Sequence, residues 1–253
     1  MIDIKTPEEI KKMRKGGKIL AEVLYEVLSY AKPGVTEMEL EEMADRLIVE
    51  KGGEAAFKKV PGYKYATCIS TNDVVVHGIP TKYKLKDGDV IGIDCGVFLD
   101  GFYTDMSHSV RVGGIRDDEI DKFLEVGETA LNEAIKIAKP GNRIGDISKI
   151  IQDMIEIEAG YSVVRSLIGH GVGRELHEDP EVPGYLNKKI GKTPELKPGM
   201  TIAIETIYNM GEPDVSFANN DGWTIVTSDA SISGLYERTI AITEKGNEIL
   251  TRV

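Results

Sequence analysis

Cysteine is nearly absent. Cys68 and Cys95 are the only two in 253 residues, which excludes a disulfide framework and a CxxC zinc module. Positive charge is short: 31 Lys and Arg stand against 42 Asp and Glu, a net charge of -11. Such a chain is not a broad binder of phosphate backbones, and no sequence-specific nucleic-acid contact is expected. No run of about 18 apolar residues occurs, so no membrane span is expected. The first stretch, MIDIKTPEEIKKMRKGGKIL, is charged throughout and lacks the apolar centre of a signal peptide. The expectation is a soluble, cytoplasmic chain. Several catalytic signatures are also missing. There is no HExxH, no GxSxG elbow, and no dinucleotide-binding glycine spacing.

What is present is an ordinary globular composition, 41% hydrophobic and 29% charged, on a chain long enough for a sizeable core. Thr6-Pro7-Glu8-Glu9 reads as a capping box with proline in the first turn, so a helix runs from there to Pro33-Gly34, weakened at Gly16-Gly17. Thr36 and Glu39 form a second capping box, and that helix stops at Gly52-Gly53. Further helices are predicted over about 117–138 and 145–159. Strand-like runs are ATCIS, DVVVHGI, DVIGIDCGVFL, FYTDMSHSVRV, MTIAIETIYN, WTIVTS and YERTIAIT.

A repeat hides in this order. AKPG occurs at 31–34 and 138–141, each time between two helices. LKDGDVIGID at 85–94 resembles LKPGMTIAIE at 196–205, and VHGIP at 76–80 parallels LHEDP at 176–180. The period is too long for a solenoid. It predicts one domain over 1–253 built of two related halves, about 1–115 and 116–253. Each half would hold two helices followed by antiparallel strands.

The repeat aligns Asp94 with Glu205, both acids at the end of a β-rich apolar run. An acid there usually just caps a strand, so its company decides. Asp105 follows Asp94 after a potential two-residue turn. With the turn on Leu99-Asp100 the two acids face each other; with it on Asp100-Gly101 they are diagonal neighbours. Both registers put them on one sheet face. Carboxylates that close need a shared proton or a cation. Glu237 opens the β-like run near the C-terminus, as Asp105 opens HSVRV. His170 lies in IGHGVGRELHEDP, which holds two of the chain's four histidines. The glycines around it read as a tight turn that lets backbone approach a site. Two Asp, two Glu and one imidazole suit divalent Mn, Fe(II), Co or Zn. Four carboxylates balance two such ions better than one.

HGIP, the Asp94 to Asp105 spacing, GHGVGRELHEDP, IAIE, DGWT and YERT stand in the order found in type I methionine aminopeptidases. The chain resembles that family over nearly its whole length. The resemblance implies an α+β "pita-bread" fold of two pseudo-symmetric halves. It implies a metal-dependent hydrolase that removes the initiator methionine from nascent polypeptides, preferentially when the second residue is small. Asp94, Asp105, His170, Glu205 and Glu237 take the five metal-ligand positions for two divalent ions. Of these, Asp105 and Glu237 resemble the bridging pair, and Glu205 is also the proton relay for a metal-activated water. His77 and His177 resemble the two histidines that hold the substrate and its tetrahedral intermediate. Tyr63, Cys68, Leu176 and Trp223 occupy positions resembling the lining of the methionine pocket. The implied partners are nascent peptide N-termini, with the ribosome a candidate, and the chain is expected to act as a monomer.

Three positions depart from the family's pattern. Thr206 stands where proline is usual, Arg238 where histidine is usual, and Pro61 where many members carry histidine. None removes a ligand, but Thr206 and Arg238 neighbour ligands and bear on their orientation. His108 should face away from Asp105 by strand alternation. Two other readings compete. Enzymes of the same fold specific for Xaa-Pro bonds usually carry an additional N-terminal domain, for which a helix starting at Thr6 leaves no room. Non-catalytic binding proteins on this fold lose metal ligands, and all five are here. The absence of a long insertion between the C-terminal motifs favours type I over type II.

Overall fold

The computed structural model describes residues 2–219 and 221–253. The first half begins with helices α1 (Pro7–Tyr30) and α2 (Glu37–Glu50). Both start at the capping boxes read from the sequence. Thr6 Oγ1 accepts from Glu9 N, and Thr36 Oγ1 from Glu39 N, while each glutamate returns a bond to the cap backbone. Helix α1 runs unbroken through Gly16-Gly17. A Cβ on Gly17 would overlap the Leu250 carbonyl, so this glycine lets the helix pack against the C-terminal segment.

Strands β1 (Glu54–Ala55), β2 (Thr67–Thr71), β3 (Val74–Val76), β4 (Val90–Leu99) and β5 (Phe102–Arg111) follow. The β4–β5 hairpin turns on Asp100-Gly101, both at positive φ, 52° and 89°. That is the backbone a two-residue hairpin turn with the right twist requires. Strand β3 is shorter than DVVVHGI predicts. His77 adopts φ 55° and ends it after Val76.

The second half repeats the plan with α3 (Asp118–Ile137) and α4 (Ile144–Gln152), the latter continuing as a π-helical turn over Asp153–Glu158. Its strands are β6 (Ser162–Val163), β7 (Gly169–Gly171), β8 (Glu178–Val182), β9 (Thr201–Asn209), β10 (Val215–Phe217), β11 (Ile225–Thr227), β12 (Ser233–Thr243) and β13 (Gly246–Ile249). One sheet holds β1, β2, β4 and β5. A second runs β13-β12-β9-β7-β8, with β6 also on β9. A small third sheet is β10-β11-β3.

The sequence repeat recurs as hydrogen bonds. Ala31 N donates to Leu28 O and Ala138 N to Ile135 O, while Asp89 N donates to Lys86 O and Met200 N to Lys197 O. Isolated bridges Thr36↔Lys84 and Arg143↔Glu195 match in the same way. Each half packs its own apolar cluster, one around Leu24, Ile48 and Ile93, the other around Phe123, Ile147 and Ile204.

The halves meet where β5 lies against β12, and side-chain hydroxyls do the joining. Thr239 Oγ1 accepts from Asp105 N (2.9 Å) and donates to Asp105 O (2.8 Å). Ser109 Oγ accepts from Leu235 N (3.0 Å) and donates to Leu235 O (2.9 Å). Each hydroxyl therefore satisfies both backbone groups of one buried residue. The two bridges fix an antiparallel register whose midpoint is Ser107 and Glu237.

Candidate metal and substrate site

The seam carries the acids. Asp105 on β5 is 4% exposed and Glu237 on β12 is 3% exposed. Both lie mid-strand rather than at a strand start, because the flanking residues Phe102–Thr104 and Ser233–Tyr236 also join the ladders. On β4, Asp94 pairs with Ser107, and Gly96 stands opposite Asp105. The two aspartates are thus diagonal neighbours, the second of the two registers left open by the sequence. On β9, Glu205 is directly opposite Glu237. The halves therefore differ by one pleat at the site. Gly96 fills the position opposite Asp105, where a Cβ would come within 2.8 Å of Ala56 Cβ and 3.1 Å of Phe57 Cε1.

His170 sits on β7, paired with Ala203 of β9. Its Nδ1 is 2.9 Å from the Gly171 carbonyl. A carbonyl only accepts, so Nδ1 carries the proton and Nε2 presents its lone pair inward. Nε2 is 4.0 Å from Glu237 Oε1. Ligand atoms of Asp105, His170 and Glu237 all lie within 4.8 Å of one another.

All eleven residues singled out from the sequence line one cavity of about 320 Å³. Asp94, Asp105, His170, Glu205 and Glu237 form its floor. His77 and His177 approach from different segments, and the His177 ring packs at 4.3 Å from that of His170. Tyr63, Cys68 and Leu176 are buried in one apolar cluster, with Trp223 packed against it. The Tyr63 hydroxyl donates to Thr67 O (2.8 Å), and the Trp223 ring stands 5.0 Å from that of Tyr63. Phe57, Val60, Val76, Leu167 and Ile207 are among the other wall residues. Ile207 was open to sequence reasoning, being two residues beyond Glu205 on the same strand face. Phe57 and Val60 were not, since they come from a short 3-10 turn with no period.

The electrostatics are those of buried acids crowded together. Burial, and then the neighbouring Asp105 and Glu205, push the Asp94 carboxyl well above its usual range. Glu237 is pushed up in the same way, by burial and then by Asp105, Glu205 and Asp94. Burial raises Asp105 to about 7, and burial with the charge of Asp105 raises Glu205 to about 8. Asp94 Oδ1 and Glu237 Oε1 are buried with no hydrogen-bond partner among the described residues. Unpaired buried carboxylate oxygens are costly and call for a ligand. Burial holds His170 down at about 4, and it also lowers His77 and His177, so the imidazoles are neutral at pH 7.

The three departures sit behind or beside this floor. Thr206 is fully buried and donates to Gly127 O (3.2 Å), tying β9 to α3. Arg238 Nη1 donates to the carbonyls of Ser107 (3.0 Å) and Glu237 (2.7 Å), and Nη2 to the Tyr25 hydroxyl (2.7 Å). It thereby braces the seam from the side opposite the cavity. Pro61 is exposed and outside the cavity lining. His108 faces away from the acids, between Tyr25 and Tyr236.

Residues 11–244 match the profile of Metallopeptidase family M24. The chain is 44% identical to a methionine aminopeptidase of Clostridium perfringens and 45% identical to methionine aminopeptidase 1 of Bacillus subtilis, each alignment covering 100% of both chains. It superposes on the crystal structure of a methionine aminopeptidase from Thermotoga maritima with a TM-score of 0.95 at 44% identity, again over 100% of both chains. Prolidase from Pyrococcus furiosus is a looser match, with a TM-score of 0.78 and 25% identity over 99% of this chain and 65% of that one. The architecture is the α+β pita-bread fold that these enzymes share.

Proposed function

Because the chain belongs to metallopeptidase family M24, as a methionine aminopeptidase of type I, we propose that the cavity on the β5–β12 seam is where it removes N-terminal methionine. It is a metal-dependent hydrolase, and it acts on polypeptide N-termini. We take the chain as one catalytic domain of two halves, about 1–115 and 116–253, with the site between them. The observation that carries this reading is the cavity itself. It gathers an apolar pocket, three neutral imidazoles and four buried acids, two of which have unpaired oxygens.

Asp94, Asp105, His170, Glu205 and Glu237 would hold two divalent ions of the Mn, Fe(II), Co or Zn kind, the donor set of one nitrogen with many oxygens suiting them. When bound, these ions supply Lewis acidity and neutralise the carboxylates. Tyr63, Cys68, Leu176 and Trp223 take the methionine side chain, an apolar thioether that gains by leaving water. Only a chain end carries a free α-amine, and the loaded metal site next to that pocket would bind it, which selects chain ends over internal bonds. His77 and His177, each neutral with one N–H, donate to the substrate carbonyl as negative charge develops on its oxygen. Glu205 would take a proton from water and pass it to the leaving amine. Small second residues fit best, and the enzyme acts as a cytoplasmic monomer on chains leaving the ribosome.

The test is a peptide assay across metals. With Mn or Co the protein should release methionine from Met-Ala-Ser and spare Ala-Pro substrates. The opposite preference would assign it to the Xaa-Pro enzymes of the same fold. Asp105→Ala should lose both metal and activity, while His177→Ala should lose rate and keep metal. Loss of metal in the His177 variant would overturn the division of roles.

A further inference from the structure

The segment before α1 takes no part in the site described above, yet it contains a buried lysine. Lys5 is 3% exposed, unusual for the residue type least often buried without a partner. Its ammonium forms an ion pair with Glu178 and lies 3.3 Å from Asp3 Oδ2. Glu178 directly follows His177. Its other oxygen, Oε1, accepts from Arg174 N (2.6 Å) and Glu175 N (3.1 Å). One carboxylate therefore closes the turn over 173–178 and ties it to Lys5.

The path of the lysine is built in. Lys5 N donates to Gly199 O (2.8 Å). A Cβ on Gly199 would come within 2.8 Å of Lys5 O, and one on Gly173 would overlap the Lys5 side-chain end. Arg174, in the same turn, reaches back to the segment as well. Its Nε is 3.1 Å from Asp3 Oδ2, and its Nη2 donates to Glu9 Oε1 (2.5 Å). The Glu178 backbone itself pairs with Gly171 of β7, next to His170.

We propose that Lys5 is a positioning residue for the reaction, holding His177 at the substrate through Glu178. This rests on the reading of His177 as a substrate-facing histidine. His177 is the most open of the three site imidazoles, and among the described residues no hydrogen bond fixes its ring. Beyond its packing on the His170 ring, its place is set by its backbone, which the Lys5–Glu178 pair and the Glu178–Gly171 pairing hold. A buried ion pair contributes little net stability, because desolvation offsets the attraction. What it supplies here is geometry, and a displacement of about 1 Å at a catalytic group costs on the order of 100-fold in rate.

The test uses metal-saturated enzyme and Met-Ala-Ser. Lys5→Met keeps the aliphatic stem and removes the charge. Glu178→Gln keeps an acceptor for the two turn amides and weakens the pair, and it serves equally should Lys5→Met not fold. Either change should lower kcat at least about tenfold, with metal affinity by calorimetry within about threefold of the parent. In a His177→Ala background the same change should slow the enzyme no further, since the group it positions is gone. Parental kcat in both single variants overturns the proposal, as does an equal slowing with and without His177. A His177→Ala enzyme with parental kcat would instead remove the reading of His177 on which the proposal stands.

Discussion

Thr239→Val removes a single oxygen from the seam and should cost far more than a hydroxyl's usual share. Thr239 is fully buried, and its hydroxyl is the partner of both the N–H and the C=O of Asp105. Valine fills the same space but can neither donate nor accept. Two buried backbone groups are left unpaired, at about 1–3 kcal/mol each, so the loss should be about 2–6 kcal/mol. With an unfolding entropy of about 2.1 cal/mol/K per residue, that corresponds to a fall in Tm of roughly 4–11 °C for a chain of this length. Ser109→Ala removes the equivalent pair at Leu235 and should cost a similar amount. The two variants differ in what they touch. Asp105 is a proposed ligand and Leu235 is not, so only Thr239→Val should also weaken metal binding. Urea unfolding gives the stabilities, and calorimetry with Mn gives the affinity. Stability within about 0.5 kcal/mol of the parent for Thr239→Val would refute the view that hydroxyls join the halves. Equal loss of metal affinity in both variants would refute the local account of Asp105.

Metal binding should release protons. Asp105 at about 7 and Glu205 at about 8 hold protons near neutrality in the metal-free protein. Affinity should therefore rise with pH from 6 to 8, and calorimetry in buffers of different ionisation enthalpy should count the protons; a count of zero would contradict it. The same shifts set a stability trend. Both carboxyls have folded values above their unfolded ones, so their contribution is full below about pH 4 and is lost as pH rises through about 7 and 8. The metal-free protein should thus lose stability on going from pH 6 to 8, and saturating metal should flatten that trend. Arg238→Ala unpairs the Ser107 and Glu237 carbonyls and should weaken metal binding about 10-fold or more, whereas Pro61→Ala, outside the cavity, should leave it unchanged. Trp223 is the only tryptophan and lines the apolar pocket, so a methionine-like ligand should change its emission; an unchanged spectrum at saturation would place the side chain elsewhere.

Much of this was legible because the signals are local. Capping boxes at Thr6 and Thr36 depend on four consecutive residues, and both helices begin there. The Asp94–Asp105 proximity needed only a two-residue turn and the period of a strand. The same period puts His108 on the far face, and it packs between two tyrosines there. Where a local rule met a tertiary demand it failed. Gly16-Gly17 weakens a helix in isolation, but α1 continues through it because Gly17 admits a neighbouring chain segment. DVVVHGI has strand propensity throughout, yet the backbone turns at His77, with φ 55°.

The seam was not legible, and the reason is physical. Repeats in sequence say which residues are equivalent, not how two strands are offset across a sheet. Asp94 and Glu205 are equivalent in their runs, yet Asp94 faces Ser107 while Glu205 faces Glu237. A tight hairpin sets the first register and a long connection leaves the second free to differ by one pleat. The bridges by Thr239 and Ser109 span 134 and 126 residues, and nothing about a lone hydroxyl in a strand announces a partner so distant. These unread features nonetheless arrange the cavity floor. The register places Asp105 and Glu237 across the seam from each other's strands, and Gly96 stands opposite Asp105, where a Cβ would crowd Ala56 and Phe57. The site is asymmetric because the strand pairs of its two halves differ in register, and that asymmetry gives the four acids distinct surroundings.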